Sequence, residues 1–256
     1  MRYKKSILIF AICTTLVFDY FGQVNVKDSS VVAPLICSSY SAQIPGGDMA
    51  KRFGFNSAIE LQFLLKTKKN WIFGASADFI LGNQVRETGM LDSIKTTDGF
   101  LISNDGKLAD TRFLERGFSA FVKFGKLFPV WGVNPNCGMF ATAGVGILEH
   151  KIRIELIDGT EKTVPQLTDE IKKGYDRLSN GIAFTQCVGY LFLSNNRITN
   201  FFFSLEVTEA FTKNRRSYDY DLMKQDDRAR TDLLYGVRLG WVLPVYKRVP
   251  REFYTY

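Results

Sequence analysis

The sequence predicts an all-β chain that closes as an eight-stranded antiparallel up-and-down transmembrane β-barrel with long extracellular loops and short periplasmic turns. Three observations carry the prediction. Eight segments of about ten residues alternate apolar with small or polar side chains, the period-2 signature of strands with one greasy face. The connections between them are in turn long and short, and the chain opens on a basic-then-apolar run that marks export. Strands of that length cross the hydrocarbon of a bilayer at a tilt, and an even strand number with alternating loop lengths is what an outer-membrane barrel requires.

In the leader, Arg2, Lys4 and Lys5 precede an apolar run from Ile7 to Phe18 and a polar break from Asp19 to Gln23. The run is too short to cross a bilayer as a helix. Residues 1–22 are therefore expected to be a signal peptide cleaved near Gly22 or Gln23, residues 23–246 the outer-membrane barrel, and residues 247–256 a periplasmic C-terminal tail. Cys13 lies inside the apolar run, and Phe10-Ala11-Ile12 before it lacks the small pair of a lipoprotein signal. No later segment approaches the roughly 18 uninterrupted apolar residues of a spanning helix.

Composition agrees. The 22 Phe, 11 Tyr and 21 Gly with a single His favour strands and tight turns over helical bundles. A mean hydropathy close to zero suits a soluble protein and a membrane barrel alike, since each barrel strand is apolar on one face only. Removing the leader, with three basic residues and one acidic, lowers the formal charge from +7 to +5. No Lys/Arg stripe interleaved with aromatics accompanies that excess, so no nucleic-acid partner is implied. Cys37, Cys137 and Cys187 are too widely spaced for a metal signature or a disulfide framework, and no cofactor is expected.

The first predicted strand, residues 31–42, empties into the turn-rich stretch 44–54. The second, 57–66, sets Ile59, Leu61, Phe63 and Leu65 against Glu60, Gln62 and Lys66. A tight basic connection, 67–70, leads to the third, 71–81, with Phe73, Ala75, Ala77, Phe79 and Leu81 against Gly74, Ser76 and Asp78. After the long polar stretch 82–115, the fourth, 117–126, shows Phe118, Ala120, Val122 and Phe124 against Ser119, Lys123 and Gly125. A connection with Pro129, Gly132, Asn134 and Asn136, the least comfortable of the short set, precedes the fifth, 139–154, where Ala141, Ala143, Val145 and Ile147 oppose Thr142, Gly144 and Gly146. The polar loop 155–180 follows. The sixth strand, 181–193, sets Ile182, Phe184, Val188, Tyr190 and Phe192 against Thr185, Cys187 and Gly189. A compact turn, 194–197, gives way to the seventh, 199–211, with Phe201, Phe203, Leu205 and Val207 opposite Phe202, Ser204, Glu206 and Thr208. The loop 212–230 precedes the eighth, 231–243, with Leu233, Tyr235, Val237, Leu239 and Trp241 opposite Gly236, Arg238 and Gly240.

The charged residues Glu60, Asp78, Lys123, Glu206 and Arg238 all lie on the face away from the bulky apolar row. In a membrane barrel that face lines the lumen, where opposite charges can pair. Each would cost roughly 2–4 kcal/mol if turned to the lipid midplane. So many Phe would overfill the narrow core of a soluble eight-stranded barrel, which places the apolar row against lipid. Trp71, Tyr190, Tyr235 and Trp241 suit an aromatic girdle at the membrane interfaces. An eight-stranded interior is only wide enough for side chains to fill, so the five charges are expected to form a plugging polar network, with a minor pore as the alternative.

Several stretches carry a family resemblance: Ala33-Pro34-Leu35, QIPGGDMAKRFG at 43–54, KTKKNWIFG at 66–74, KGYDR at 173–177 and GWVLPVYKRVPREFYTY at 240–256. The chain resembles, over nearly its whole mature length, a group of small outer-membrane β-barrel proteins of Bacteroidota. The resemblance brings no enzymatic motif. Envelope machines of that phylum, the type IX secretion system and the elaborated barrel-insertion complex, include small barrels as accessory subunits, so it implies an accessory or scaffold subunit of a protein-assembly or secretion complex.

The residues themselves leave room for other chemistry. His150 follows Glu149 at the outer end of the fifth strand, where a Ser-His-Glu lipid hydrolase could be built; no serine partner is evident, and a lone His there reads as an interfacial polar residue. Pro45-Gly46-Gly47-Asp48 followed by Lys51 and Arg52 reads as a turn first and as a phosphate cradle second. Lys66 to Lys69 and the tail residues Lys247, Arg248 and Arg251 put positive charge at the periplasmic rim. Together with Phe253, Tyr254 and Tyr256, the tail suits docking onto a periplasmic protein partner. The expected function is thus a non-enzymatic integral outer-membrane barrel in contact with outer-membrane lipid and envelope proteins; a lipid-modifying enzyme is the competing class.

Overall fold

A computed structural model describes residues 29–157, 164–194 and 198–245. The expected signal peptide, residues 1–22, and the tail residues Lys247, Arg248, Arg251, Phe253, Tyr254 and Tyr256 lie outside the described residues. Eight long strands close into one barrel: β1 (Ala33–Gly47), β2 (Asn56–Lys66), β3 (Trp71–Gly82), β6 (Thr111–Phe128), β7 (Gly138–Leu156), β8 (Ser179–Phe192), β9 (Phe201–Asn214) and β10 (Ala229–Pro244). Each pairs antiparallel with its sequence neighbour in the barrel, and β1 pairs with β10 to close it. A small hairpin, β4 (Leu101–Ile102) with β5 (Leu108–Ala109), and two single-turn helices, α1 (Met49–Arg52) and α2 (Asp169–Lys172), belong to the long loops.

The register defines the barrel. From Ile36 on β1 the cross-strand partners run through Phe63, Ala75, Val122, Val145, Phe184, Glu209 and Leu233 and return to β1 at Gly46, ten residues farther along. Eight strands with that stagger tilt by about 40° and leave an interior filled by side chains. Along every strand the predicted faces hold: Ile59, Leu61 and Phe63 point outward while Glu60 and Gln62 are buried inside, and Phe203, Leu205 and Val207 point outward while Ser204 and Glu206 are inside. The outward apolar positions form a band on the order of 25 Å high, the thickness such a wall needs, interrupted by the outward-facing Gln186 on β8 and Glu209 on β9.

Most departures from the predicted strands come from tertiary pairing. β1 does not stop at residue 42 but continues through Pro45 to Gly47, because β10 offers a partner as far as Asp232. The turn signal of Pro-Gly-Gly is delayed, not lost: Gly47 takes φ +59°, and a Cβ there would meet the Thr231 carbonyl at 2.4 Å. β6 and β7 are longer than predicted, at 18 and 19 residues, and rise past the membrane band as a two-stranded wall. Met49, Phe53, Met90, Leu91, Leu101, Ile152, Ile154, Leu156 and Leu167 pack together there into an apolar core under the loops. At the other end, the 67–70 turn closes with Asn70 at φ 62°, a conformation Asn tolerates, and the Thr67 amide donates to the Trp71 carbonyl at 2.8 Å.

Candidate functional site

Alternation aims one residue in two at the lumen, and the barrel's stagger brings lumen residues from six strands to one level. Glu60 on β2, Asp78 on β3, Lys123 on β6, Glu206 on β9 and Arg238 on β10 meet there, with Ser39 of β1 beside them. Arg238 is the hub and only 2% exposed. Its guanidinium reaches Glu60 Oε2 at 2.6 Å, Asp78 Oδ1 at 2.8 Å and Glu206 Oε2 at 2.6 Å. Lys123 Nζ donates to Glu60 Oε1 at 2.6 Å and lies 3.8 Å from Glu206. Neutral donors complete the acceptors: Ser39 Oγ and Gln62 Nε2 to Glu60, Thr185 Oγ1 to Glu206, and Ser119 Oγ to Asp78. Five donors in a rigid planar fork let one arginine reach three carboxylates and Ser39 at once from spread-out nitrogens, where a lysine offers three donors from a single point.

Below this layer the lumen is apolar, lined by Leu35, Cys37, Ile72, Phe140, Leu191, Phe202 and Val242. A cavity of about 30 Å³ remains between the two layers, room for about one water. The periplasmic mouth is shut by the segment the sequence made least comfortable. Asn136, from the β6–β7 connection, accepts from Lys66 Nζ at 2.8 Å and from the Val31 amide at 3.0 Å, and donates to the Ser29 carbonyl. Lys66 is fully buried in this latch. Its expected contribution of positive charge to the periplasmic rim is thus corrected for this one residue: it follows the strand face it shares with Glu60 and Gln62 and turns inward, while Lys68 and Lys69 remain exposed.

Above the charged layer, His150 also faces inward and is 1% exposed, not at the lipid interface where its position suggested. Its Nε2 lies 2.9 Å from Asp232 Oδ2, which also accepts from Thr212 Oγ1, and its ring packs edge-on against Phe53. Nδ1 has no hydrogen-bond partner. Ser179, across the strand pair, already binds Arg52 and the Arg177 carbonyl. No acyl chain in the surrounding bilayer reaches this group.

The loops are tied over the outer mouth by ion pairs that sequence reading missed: Arg52 to Glu87 and Asp226, Arg177 to Glu87 and Asp221, Arg230 to Asp226, and Arg216 to Asp176. Arg52, weighed above as part of a phosphate cradle, is buried in these pairs. Burial opposes the charge on Asp226, yet the Arg230 hydrogen bond and positive charge hold its carboxyl below the ordinary range; Asp48 is held low first by its Lys51 hydrogen bond. Carboxyls held low stabilise the cap above their unfolded pKa, and that contribution disappears as pH falls through the lower folded value. Asp219 runs the other way, raised by burial, so acid relieves rather than adds cost there. The two lowered groups set the expected outcome: pepsin nicking of the loops, normalised at each pH to cleavage of an unfolded control chain, rises from about pH 5 towards about pH 2, with the strands still protected.

Trp71, Tyr190 and Trp241 ring the periplasmic edge of the band: Trp71 stacks on Phe124 under Lys126, Tyr190 donates to the Trp131 carbonyl and Trp241 to the Ile198 carbonyl. Tyr235 also points outward but sits opposite Ile44 and Val207, towards the outer edge.

No family model and no curated protein matches the chain. Among solved structures, Ail, the attachment invasion locus protein of Yersinia pestis, superposes with a TM-score of 0.41 at 9% identity, covering 83% of this chain and 99% of that one. The same protein in complex with the heparin analogue sucrose octasulfate gives 0.38 at 11% identity, over the same shares. Likenesses at this level carry no functional assignment. The chain's own wall does carry its placement: a largely apolar exterior around a closed ring of strands, with a paired layer of charge sealed inside, makes it an integral β-barrel of the bacterial outer membrane.

Proposed function

We propose that this barrel works through its outer surfaces, as a non-enzymatic accessory or scaffold subunit of an envelope protein-assembly or secretion complex. The observation that supports this most is the filled lumen, with an apolar layer, a charged layer and a loop cap stacked between the two mouths. A conduit would need a wet path, and a barrel of this width has no room for one beside these side chains. What remains available to a partner is the lipid-facing wall, the long loops and the residues beyond β10. The resemblance to small Bacteroidota barrels points to the same class of role.

Affinity purification from mild detergent tests the reading. A stoichiometric envelope-protein companion is expected, and a protein that purifies alone would overturn it. In planar bilayers the pure barrel is expected to show no unitary conductance; steady channel steps would favour a pore. His150→Ala is expected to leave lipid A and phospholipid composition unchanged in cells. Altered lipids would restore the enzyme reading.

A further inference from the structure

Just above the apolar band, the outer wall becomes strongly cationic on one side. Arg116 of β6 and Lys151 of β7 are direct cross-strand partners, and both share the outward parity of Phe118 and Ile147. Like charges directly opposite each other destabilise a strand pair. Neither has an ion-pair acid among the described residues. Their hollow, about 520 Å³, is completed by Lys172 at the end of α2, Lys173 just after it and Arg216 after β9. Of these, Arg216 is matched by Asp176 and Lys172 lies 3.6 Å from Asp169, so Lys173 adds a third unmatched cation. The lower lip is Phe79, half exposed on the lipid-facing band. On the far side of the barrel the cations at the loop bases do contact an acid, Lys51 and Arg228 sharing Asp48.

This geometry combines an apolar floor at acyl-chain depth with unmatched cations at head-group depth, on the side of the long loops. Those loops face outward in barrels of this kind. Arginine and lysine together suit a phosphate monoester, the arginine by paired donors and the lysine by point charge. We propose that the hollow binds a phosphate monoester carried by the outer-leaflet glycolipid, with Arg116, Lys151 and Lys173 on the phosphate and Phe79 against the first acyl carbons. The lipid anchor is the favoured source of the phosphate because the site opens onto the lipid-facing wall; a soluble phosphate would find no apolar floor to use.

The test uses the full barrel folded in neutral detergent, titrated by calorimetry with bis-phosphorylated lipid A, with enzymatically dephosphorylated lipid A and with inorganic phosphate. Saturable binding of the phosphorylated lipid alone is expected. Arg116→Gln with Lys151→Gln is expected to weaken it at least tenfold, and Lys68→Gln with Lys69→Gln at the opposite rim to leave it unchanged. Both pairs are surface changes, and retention of the heat-modifiable electrophoretic shift confirms folding. Without lipid, Lys151→Gln is expected to unfold at the same or a higher urea concentration than the parent, since it removes a repulsion; a merely structural lysine would lower it. Equal binding of dephosphorylated lipid A, undiminished binding by the double variant, or inorganic phosphate binding as tightly as the lipid would each overturn the proposal.

Discussion

Replacing Arg238 with Met is expected to destabilise the barrel by about 3–5 kcal/mol, the cost of stripping one partner from a buried ionic cluster. The loss comes from what remains, since Glu60, Asp78 and Glu206 would face Lys123 alone in a layer that is almost wholly buried. Urea unfolding in liposomes, followed by the fluorescence of Trp71, Trp131 and Trp241, reads it directly. Adding Asp78→Asn and Glu206→Gln leaves Lys123 and Glu60 as a balanced pair at 2.6 Å, and most of the lost stability is expected to return. If Arg238→Met unfolded within about 1 kcal/mol of the parent, the charges would behave like solvated ones, and the plugged-lumen reading would fail with them.

The second large effect concerns the other face. Val122 and Leu205 are among the most exposed residues of the band, at 67% and 57%, and sit near its middle by register. Val122→Arg and Leu205→Arg are each expected to cost roughly 2–4 kcal/mol in a bilayer, whereas Phe128→Arg at the periplasmic edge costs about 0–1 kcal/mol. The gradient is diagnostic, because all three positions face outward and differ chiefly in depth within the hydrocarbon. Equal, small costs at all three would place the wall in water. Stable folding of the parent as a monomer in plain buffer would say the same.

How much of this was legible beforehand depends on the range of the interaction. Alternation is a local property, and it assigned Glu60, Asp78, Lys123, Glu206 and Arg238 to one face and Leu61, Phe79 and Val122 to the other without any knowledge of neighbours. The same parity set Lys66 beside Glu60 and Gln62 and places Asp232 inside as well; grouping Lys66 with the basic rim charge of the turn obscured the inward partner it needs. Length and loop alternation likewise indicated closure and orientation. The extension of β6 was not legible, because residues 111–116 are rich in charge and read as loop until β7 supplies their hydrogen-bond partners; β7 itself departs from the predicted 139–154 only at residues 138, 155 and 156.

The sequence alone therefore determined the strand number, the two faces and the membrane-facing character, since each follows from a period of two within about ten residues and its repetition along the chain. Only the tertiary structure decided which charges pair, that Asn136 closes the periplasmic mouth over Lys66, that His150 lies beneath Phe53, and that Arg116 stands against Lys151. Those outcomes depend on the stagger with which β1 meets β10 and on where the loops fold back. Stagger and loop return are set by packing summed over the whole ring, which no single segment encodes.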